Sequence, residues 1–383
     1  MIAPVSPHVA QISFFRDPEE RAPAQLLHDW PSLVDVAEAA SRANIRVSVI
    51  QACPTSETLI RNDVSYHFLP FGRAAPPGQR TQIFGELLRR LAPDVCHVHG
   101  LGFPHDVLSL SKLAPTTPIV LQDHADRPPP FWKKLSWRRA FSMISGIAFC
   151  ALEQAAPFAS AGLIGKQTKL YEIPESTSRF APANQEDARL ATGLAGDPLV
   201  LYVGHLNANK DPLTVLAGIS AAARVLPGLQ LWCCFGSAPL LHQVRERIAT
   251  DPNLRGRVHL LGRVPHETVE QLMRAADLFV LGSHREGSGY SLIEALACGL
   301  PPVVTDIPSF RTLTGSGAVG ALWPCGDADK LCEAIVALAN RHRPQTRALV
   351  RTHFDNELSL DAVGRKLSSV YEDLLQRKAA APK

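Results

Sequence analysis

The sequence lacks the features of a membrane-spanning, secreted or nucleic-acid-binding protein. No apolar run approaches the length of a membrane span, and the N-terminus has neither a basic region nor a long apolar stretch, so we expect no membrane helix and no signal peptide. The formal net charge is only +3 and the basic residues are dispersed, which argues against nucleic acid as a partner. None of the eight cysteines forms a C-x-x-C pair, which is typical of buried free thiols in a reducing compartment. These absences predict a cytoplasmic protein.

The sequence does have a regular alternation of strand and helix patterns over most of its 383 residues. That alternation predicts an α/β protein with two doubly wound, Rossmann-like domains that face each other across a cleft. We place the first domain at residues 1–184 and the second at 199–355. Between them, 185–198 is polar and contains two glycines, which favours a linker. A final helix is predicted at 356–378.

The segment 283–301 carries the strongest functional signal. The apolar run at 278–281 predicts a buried parallel strand, and an apolar-periodic helix follows until a glycine and a proline end it. Gly287 and Gly289 lie in the tight loop between this strand and this helix. Because such a loop aims the backbone N–H groups of the helix N-terminus at one point, the segment is suited to bind a phosphate.

Two glutamates, Glu286 and Glu294, bracket that point. Carboxylates repel phosphate but accept hydrogen bonds from hydroxyls, and a ligand with hydroxyls on both sides of a diphosphate is a sugar nucleotide. The glycines also half-match a dinucleotide fingerprint, with Asp306 ending the next strand at about the expected distance. However, Leu292 stands where the third glycine belongs, and a dinucleotide would leave both glutamates without a role. We therefore favour a sugar nucleotide.

The seven residues between Glu286 and Glu294, followed by Ala-x-Ala-x-Gly-x-Pro and a Pro-Val-Val-Thr strand, resemble the E-x7-E motif of retaining glycosyltransferases of family 4. Other segments resemble the same family in the same order, namely 201–210, 258–264 and 318–327. The resemblance covers roughly residues 197–340, which is more specific than any single motif. It implies the GT-B fold, with the final helix returning to the first domain. It also implies transfer of a hexose from a nucleotide-diphosphate sugar, by default a UDP-sugar, to a small-molecule, glycan or lipid-linked acceptor that the sequence does not identify.

The resemblance also implies roles for single residues. The backbone of Arg263 and Val264 would hold the nucleobase, Glu294 the ribose and Glu286 the hydroxyls of the transferred sugar. The diphosphate would be bound by side chains and amides around the helix N-terminus: His205, Lys210, Gly287, Ser288, Gly289, Tyr290 and Ser291. The catalytic candidates are Glu286, Lys210 and His124, the last as the histidine near the reacting centre of the sugar. No protein nucleophile, metal or other cofactor is expected.

Two departures from the family pattern keep alternatives open. His205 stands where the family usually carries an arginine, which is always charged, whereas histidine is only partly protonated near neutrality. Either the diphosphate raises the pKa of His205, or Lys210 and the helix N-terminus suffice. The first glycine is Gly72, so the glycine-rich loop that usually follows the first strand is missing. The chain is therefore also compatible with a sugar-nucleotide-binding scaffold or partner subunit, or with a sugar-nucleotide epimerase of the same fold.

The first half of the sequence is less informative. His28, Asp29 and Trp30 either form a helix entry with a packing tryptophan, which we favour, or a wall of the acceptor site. His124 is equally compatible with a packing role. The pair His97 and His99 suggests zinc, but no acidic or thiol ligands lie at metal spacing, so no metal site is predicted. Asp327-Ala-Asp329 is interpreted as a helix N-cap rather than a metal motif.

The segment 127–141 mixes basic and aromatic residues, a composition compatible with contact to a membrane or an anionic acceptor. On a helical wheel its four large aromatic residues do not gather opposite the charges, and interfacial helices need that separation. We therefore favour a partly packed, solvated helix.

Overall fold

The computed structural model describes residues 6–70 and 77–380, so that Gly72 lies outside these ranges. By their contacts the described residues form two compact units: those up to residue 177 together with those from residue 360 onward form the first, and 178–359 form the second. Each contains one parallel-type sheet covered by helices, which confirms the predicted α/β class with two doubly wound sheets.

The first unit contains an eight-stranded sheet in the order β3-β4-β2-β1-β5-β6-β7-β8, parallel except for the β3–β4 pair. Its strands are β1 (His8–Ser13), β2 (Arg46–Cys53), β3 (Glu57–Arg61), β4 (Val64–Pro70), β5 (Val95–His99), β6 (Ile119–Gln122), β7 (Gly146–Phe149) and β8 (Lys169–Glu172). Its helices are α1 (Pro23–Asp29), α2 (Pro31–Arg42), α3 (Pro77–Leu91), α4 (Pro104–Leu113), α5 (Lys134–Phe141), α6 (Ala156–Ser160) and α15 (Leu360–Ala380). The strand order reverses direction between β1 and β5, which in such sheets is where ligands bind.

The second unit contains a six-stranded, all-parallel sheet in the order β11-β10-β9-β12-β13-β14. Its strands are β9 (Leu199–Val203), β10 (Gln230–Cys234), β11 (Val258–Gly262), β12 (Leu278–Leu281), β13 (Pro302–Thr305) and β14 (Ala321–Trp323). Its helices are α7 (Gln185–Thr192), α8 (Pro212–Ala223), α9 (Leu241–Thr250), α10 (His266–Ala275), α11 (Tyr290–Ala297), α12 (Pro308–Leu313), α13 (Ala328–Ala339) and α14 (Arg343–Glu357). The order reverses between β9 and β12, so the loops after these two strands form the expected binding edge.

The last helix, α15, packs against α2 of the first unit. The helices approach so closely at Gly364 that a Cβ there would lie 2.2 Å from the carbonyl oxygen of Ala39. Only glycine fits this contact, so Gly364 allows α15 to pack this closely against α2.

The segment 185–198, predicted as a linker, differs from that prediction because it contains α7. Asn184 caps this helix by accepting from two backbone N–H groups, and Gly193 ends it in the left-handed region. The polar side chains are used inside the second unit: Gln185 Nε2 donates to Asp277 Oδ1 at 2.9 Å, and Arg189 Nη2 pairs with Asp277 Oδ2 at 2.7 Å. Polar composition here reflects capping and pairing with a buried carboxylate, not a solvated connector.

Six of the eight cysteines are buried, as predicted, and Cys325 is exposed. Among the described residues, no helix is both long and apolar enough to cross a membrane.

Candidate functional site

The loop between β12 and α11 has the geometry that its glycines predict. Gly289 is the N-cap of α11 with φ +83°, a conformation that side chains disfavour, and a Cβ there would lie 2.6 Å from Phe310 Cε1. Glycine is thus required both by the backbone turn and by the packing of α12. The result brings the partly positive N-terminus of α11 to the carboxyl edge of the sheet.

A pocket of about 280 Å³ lies at this edge, within the second unit. It brings together most of the residues predicted to bind the donor, from the loops after β9, β11 and β12 and from α11: His205, Lys210, Arg263, Val264, Glu286, Tyr290, Ser291 and Glu294. Gly287, Ser288 and Gly289 are buried beside it in the loop that shapes its wall. His124 belongs to the first unit and lines a different pocket.

Lys210 and Glu286 form an ion pair in this pocket, with Nζ 2.7 Å from Oε1 and each side chain only 14% exposed. Their two loops are also joined by backbone contacts, because His284 N donates to Asn209 O at 2.8 Å and Asn209 Nδ2 donates to Arg285 O at 2.9 Å. The Lys210 ammonium is thus held in place. Because it has three N–H donors, it can bind phosphate and keep its hydrogen bond to the Glu286 carboxylate.

Glu294 has a partner that the sequence did not indicate. Its Oε1 accepts a hydrogen bond from Nε2 of His266, the first residue of α10, at 2.6 Å. The His266 ring in turn packs on Phe180, with ring centroids 4.7 Å apart. This contact orients the Glu294 carboxylate and leaves its second oxygen the capacity to accept from a ligand hydroxyl.

The contacts of His205 favour a neutral ring. Its Nδ1 accepts a hydrogen bond from the backbone N–H of Ser237 at 3.1 Å, which requires a lone pair on Nδ1 and so places the proton on Nε2. Arg263 lies close by, since a Cβ on Gly236 would be 3.5 Å from both Arg263 Nη2 and His205 Cε1. Only the backbone of Arg263 was predicted to contact the ligand, yet its guanidinium supplies this wall with a permanent charge.

The first unit has its own pocket, of about 440 Å³, beside the carboxyl ends of β1 and β5. Trp30 lines it, whereas Asp29 pairs with Arg21 at 3.3 Å and His28 is not part of the lining. The segment that replaces the missing glycine loop folds around Asp17, which accepts from the backbone and guanidinium of Arg21. The Arg21 hydrogen bond holds the pKa of Asp17 well below its usual range, so this segment is closed by an internal ion pair.

Two histidines that line this pocket, His99 and His124, belong to a chain of interacting side chains. His124 Nδ1 lies 2.5 Å from Glu175 Oε2, and His124 Nε2 lies 3.1 Å from His99 Nδ1. His99 stacks on His97 with ring centroids 4.7 Å apart, and His97 Nδ1 contacts the Tyr371 hydroxyl at 2.8 Å. We call Glu175, His124 and His99 the histidine relay.

Burial and charge act in opposite directions within the relay. Burial lowers the pKa of His97 to about 3 and lowers the pKa of His99 well below its usual value. Burial also opposes charge on His124, but the hydrogen bond and charge of Glu175, helped by nearby aspartates, raise its pKa overall. The relay therefore favours a cationic His124 between a carboxylate and a neutral His99.

Both nitrogens of His124 contact protein groups, whereas His99, which also lines the pocket, contacts His124 through Nδ1. When His124 is protonated it donates to His99 Nδ1, and His99 Nε2 then carries a proton and donates. When His124 is neutral and donates from Nδ1 to Glu175, it accepts from His99 Nδ1–H, and His99 Nε2 becomes an acceptor. Glu175 was missed in the sequence because a lone glutamate after a strand carries no pattern.

The described residues contain no group of three His, Cys, Asp or Glu side chains placed to hold a metal ion. The relay members contact one another instead.

Comparison with known proteins agrees with the geometry of the second unit. Residues 184–349 match the family model of the glycosyl transferases group 1. The match lies entirely within the second unit, which is therefore similar to this family. The chain is 26% identical over 251 residues to a GDP-mannose:cellobiosyl-diphosphopolyprenol alpha-mannosyltransferase of Xanthomonas oryzae, covering 64% of each protein. It is 25% identical over 290 residues to a D-inositol 3-phosphate glycosyltransferase of Nocardia farcinica, covering 69% of this chain and 64% of that one. The chain thus spans less than two thirds of the length of these relatives.

Solved structures show the same fold, GT-B. Sucrose-phosphate synthase from Thermosynechococcus elongatus aligns with a TM-score of 0.70 at 19% identity, covering 97% of this chain and all of that one. Anabaena HepE in complex with UDP and glucose aligns with a TM-score of 0.68 at 18% identity, covering 96% and 99%.

Proposed function

We propose that the chain is a retaining glycosyltransferase that moves a hexose from a nucleotide-diphosphate sugar, preferentially a UDP-sugar, to an acceptor that remains to be identified. The observation that carries this proposal is the second-unit pocket, where two carboxylates flank a helix N-terminus. Glu286 and Glu294 both line this pocket, together with Lys210 and the first turn of α11.

The donor would bind with its diphosphate against the N-terminus of α11. Lys210, Arg263 and the helix terminus supply positive character there, and His205 adds a neutral N–H donor. Glu294, oriented by His266, is assigned to the ribose, and Glu286 to the hydroxyls of the transferred sugar. The backbone of Arg263 and Val264 is assigned to the base.

The rate would come from stabilising the charge that develops on the leaving diphosphate. Donors that are already oriented cost no reorganisation during the reaction, and the ion pair and loop contacts of Lys210 orient it before the ligand arrives. In this proposal the acceptor attacks on the face of the leaving group, so no protein nucleophile is assigned.

The first-unit pocket is proposed to bind hydroxyl-bearing substrate. It combines an aromatic face, Trp30, with polar groups from Ser13, Gln51 and the relay member His99. Aromatic faces and paired donors and acceptors are suited to sugar or polyol rings. Here His124 acts through His99, which refines the role predicted for His124.

The UDP preference is supported by the likeness to HepE, whose structure holds UDP and glucose, whereas the Xanthomonas relative uses GDP-mannose. Thermal unfolding with each nucleotide tests the proposal. Saturating UDP should raise the free energy of unfolding by about 2.7 kcal/mol at a hundredfold excess over the dissociation constant, without added metal. Stabilisation by GDP alone would change the donor, stabilisation by NAD alone would favour a dinucleotide, and no effect of any nucleotide would refute the proposal.

A further inference from the structure

The exposed face of the segment 127–143 combines aromatic and basic side chains. Phe131, Trp132 and Leu135 are 83%, 69% and 61% exposed, although large apolar residues are usually buried. Phe131 and Trp132 contact each other edge to face, with ring centroids 5.1 Å apart. These three residues form an apolar tip at the start of α5.

The same helix is firmly attached to the first unit by its other face. Trp137 and Phe141 are buried in the core under α4 and α5. Two of the four aromatic residues therefore point inward, which explains why a helical wheel of the whole segment shows no separation of apolar and charged sides. The tip stays exposed although its helix has a packed face.

The charge of the segment that carries the tip has one sign. Arg127, Lys133, Lys134, Arg138 and Arg139 are basic, and no acidic residue occurs between Asp126 and Glu153 in the sequence. Aromatic and leucine side chains beside lysine and arginine match the interface of an anionic bilayer, where the rings enter the headgroup region and the cations meet lipid phosphates. A protein partner would need a matching acidic and apolar surface, whereas an anionic membrane offers both at once.

We propose that this tip, with its surrounding basic residues, docks the first unit onto a membrane surface that contains anionic lipid. The contact is peripheral and does not depend on the proposed transfer reaction. It would place the protein where a lipid-linked substrate is found.

The test is co-sedimentation of the full chain with vesicles of phosphatidylcholine, alone or mixed in equal parts with phosphatidylglycerol. We expect binding to the mixed vesicles that weakens with salt, and little binding to phosphatidylcholine alone. Phe131→Ser with Trp132→Ser should reduce binding roughly tenfold or more, as should Lys133→Gln with Arg139→Gln, since each basic residue contributes about fivefold. Ile60→Ser is the matched control, because Ile60 is also highly exposed in the first unit and lies outside the segment.

Tryptophan emission gives a second measurement on the same samples. Among the five tryptophans, Trp132 is the exposed one, so its emission should shift to shorter wavelength on mixed vesicles. Trp132→Phe should remove the shift and keep the binding. Absence of binding to mixed vesicles, equal binding of the double serine variant, or displacement by soluble pyrophosphate at constant ionic strength would each overturn the proposal, the last by indicating a free-anion site.

Discussion

The two pockets hold their charges in different ways. In the second unit, Lys210 and Glu286 pair at the pocket wall, and Arg263 lies at the surface beside His205. In the first unit, the charged pair of the relay is His124 and Glu175, and a neutral His99 contacts this pair through His124. The second-unit pocket therefore presents charged side chains directly to a ligand. The first-unit pocket presents the neutral ring of His99, which donates or accepts a hydrogen bond according to the protonation state of His124.

The largest effect is expected at Glu286. Glu286→Ala should reduce turnover or slow donor hydrolysis by ~10²-fold or more, if the contact to the sugar tightens in the transition state, while UDP affinity stays nearly intact. Hydrolysis of the UDP-sugar and calorimetry with UDP measure the two quantities. Absence of turnover by wild type on any donor, although UDP binds to wild type and to Glu286→Ala alike, would favour the binding scaffold over the enzyme.

The relay should show itself in the pH dependence of stability. The pKa of His124 is raised in the folded state, so its pairing with Glu175 stabilises the folded state. This stabilisation is complete below the unfolded histidine pKa of about 6.5 and is lost as the pH rises through the folded pKa. Glu175→Gln should therefore lower the free energy of unfolding by about 1–3 kcal/mol near pH 6 and by less near pH 9.

Urea unfolding at the two pH values, with Glu153→Gln as the control for an exposed carboxylate nearby, measures this difference. Burial raises the pKa of Asp123 to about 7, and the charges of Asp126 and Glu175 add to this rise, so Glu175→Gln would also change the titration of Asp123. The comparison is therefore made in an Asp123→Asn background, where this carboxyl no longer titrates. An equal loss of stability at both pH values would show that His124 is not the charged partner.

The guanidinium of Arg263 should matter for the diphosphate. Arg263→Gln is expected to weaken UDP binding roughly tenfold, since it removes a charged donor from the pocket wall. Arg245→Gln, an exposed arginine of α9 away from the pocket lining, is the control. Calorimetry at fixed ionic strength measures the UDP affinity of both variants. Equal affinities would show that only the backbone of Arg263, and not its guanidinium, contributes to UDP binding.

The smallest effect is expected at His205. Because Ser237 N–H occupies its Nδ1, UDP affinity should change little between about pH 6 and pH 8, and His205→Arg should improve it only severalfold. A pH-dependent loss of affinity that His205→Arg abolishes would show instead that the ring is protonated when the donor binds.

The sequence predicted the second pocket far better than the first for a physical reason. Glycines 287 and 289 with Glu286 lie in one strand–loop–helix segment, where local backbone geometry fixes their positions. Even there, the partner His266 and the guanidinium of Arg263 were missed, because they come from another loop. The relay joins the end of β5 to segments after β6 and β8. In the same way, α7 was predicted as a linker because its polar residues pair with the distant Asp277. Such long-range pairs leave no periodic signal.

The assignment of Glu294 tests the central claim most directly. If the second-unit pocket holds a nucleotide sugar with its ribose on this carboxylate, Glu294→Ala should weaken UDP and UDP-sugar alike, by roughly tenfold or more, since it removes a charged acceptor shared by both ligands. Glu246→Ala, an exposed glutamate of the same unit, should leave both affinities unchanged. The measurement is calorimetric titration of both ligands into the three proteins. Undiminished binding of UDP to Glu294→Ala, or absence of UDP and GDP binding to wild type, would contradict the account.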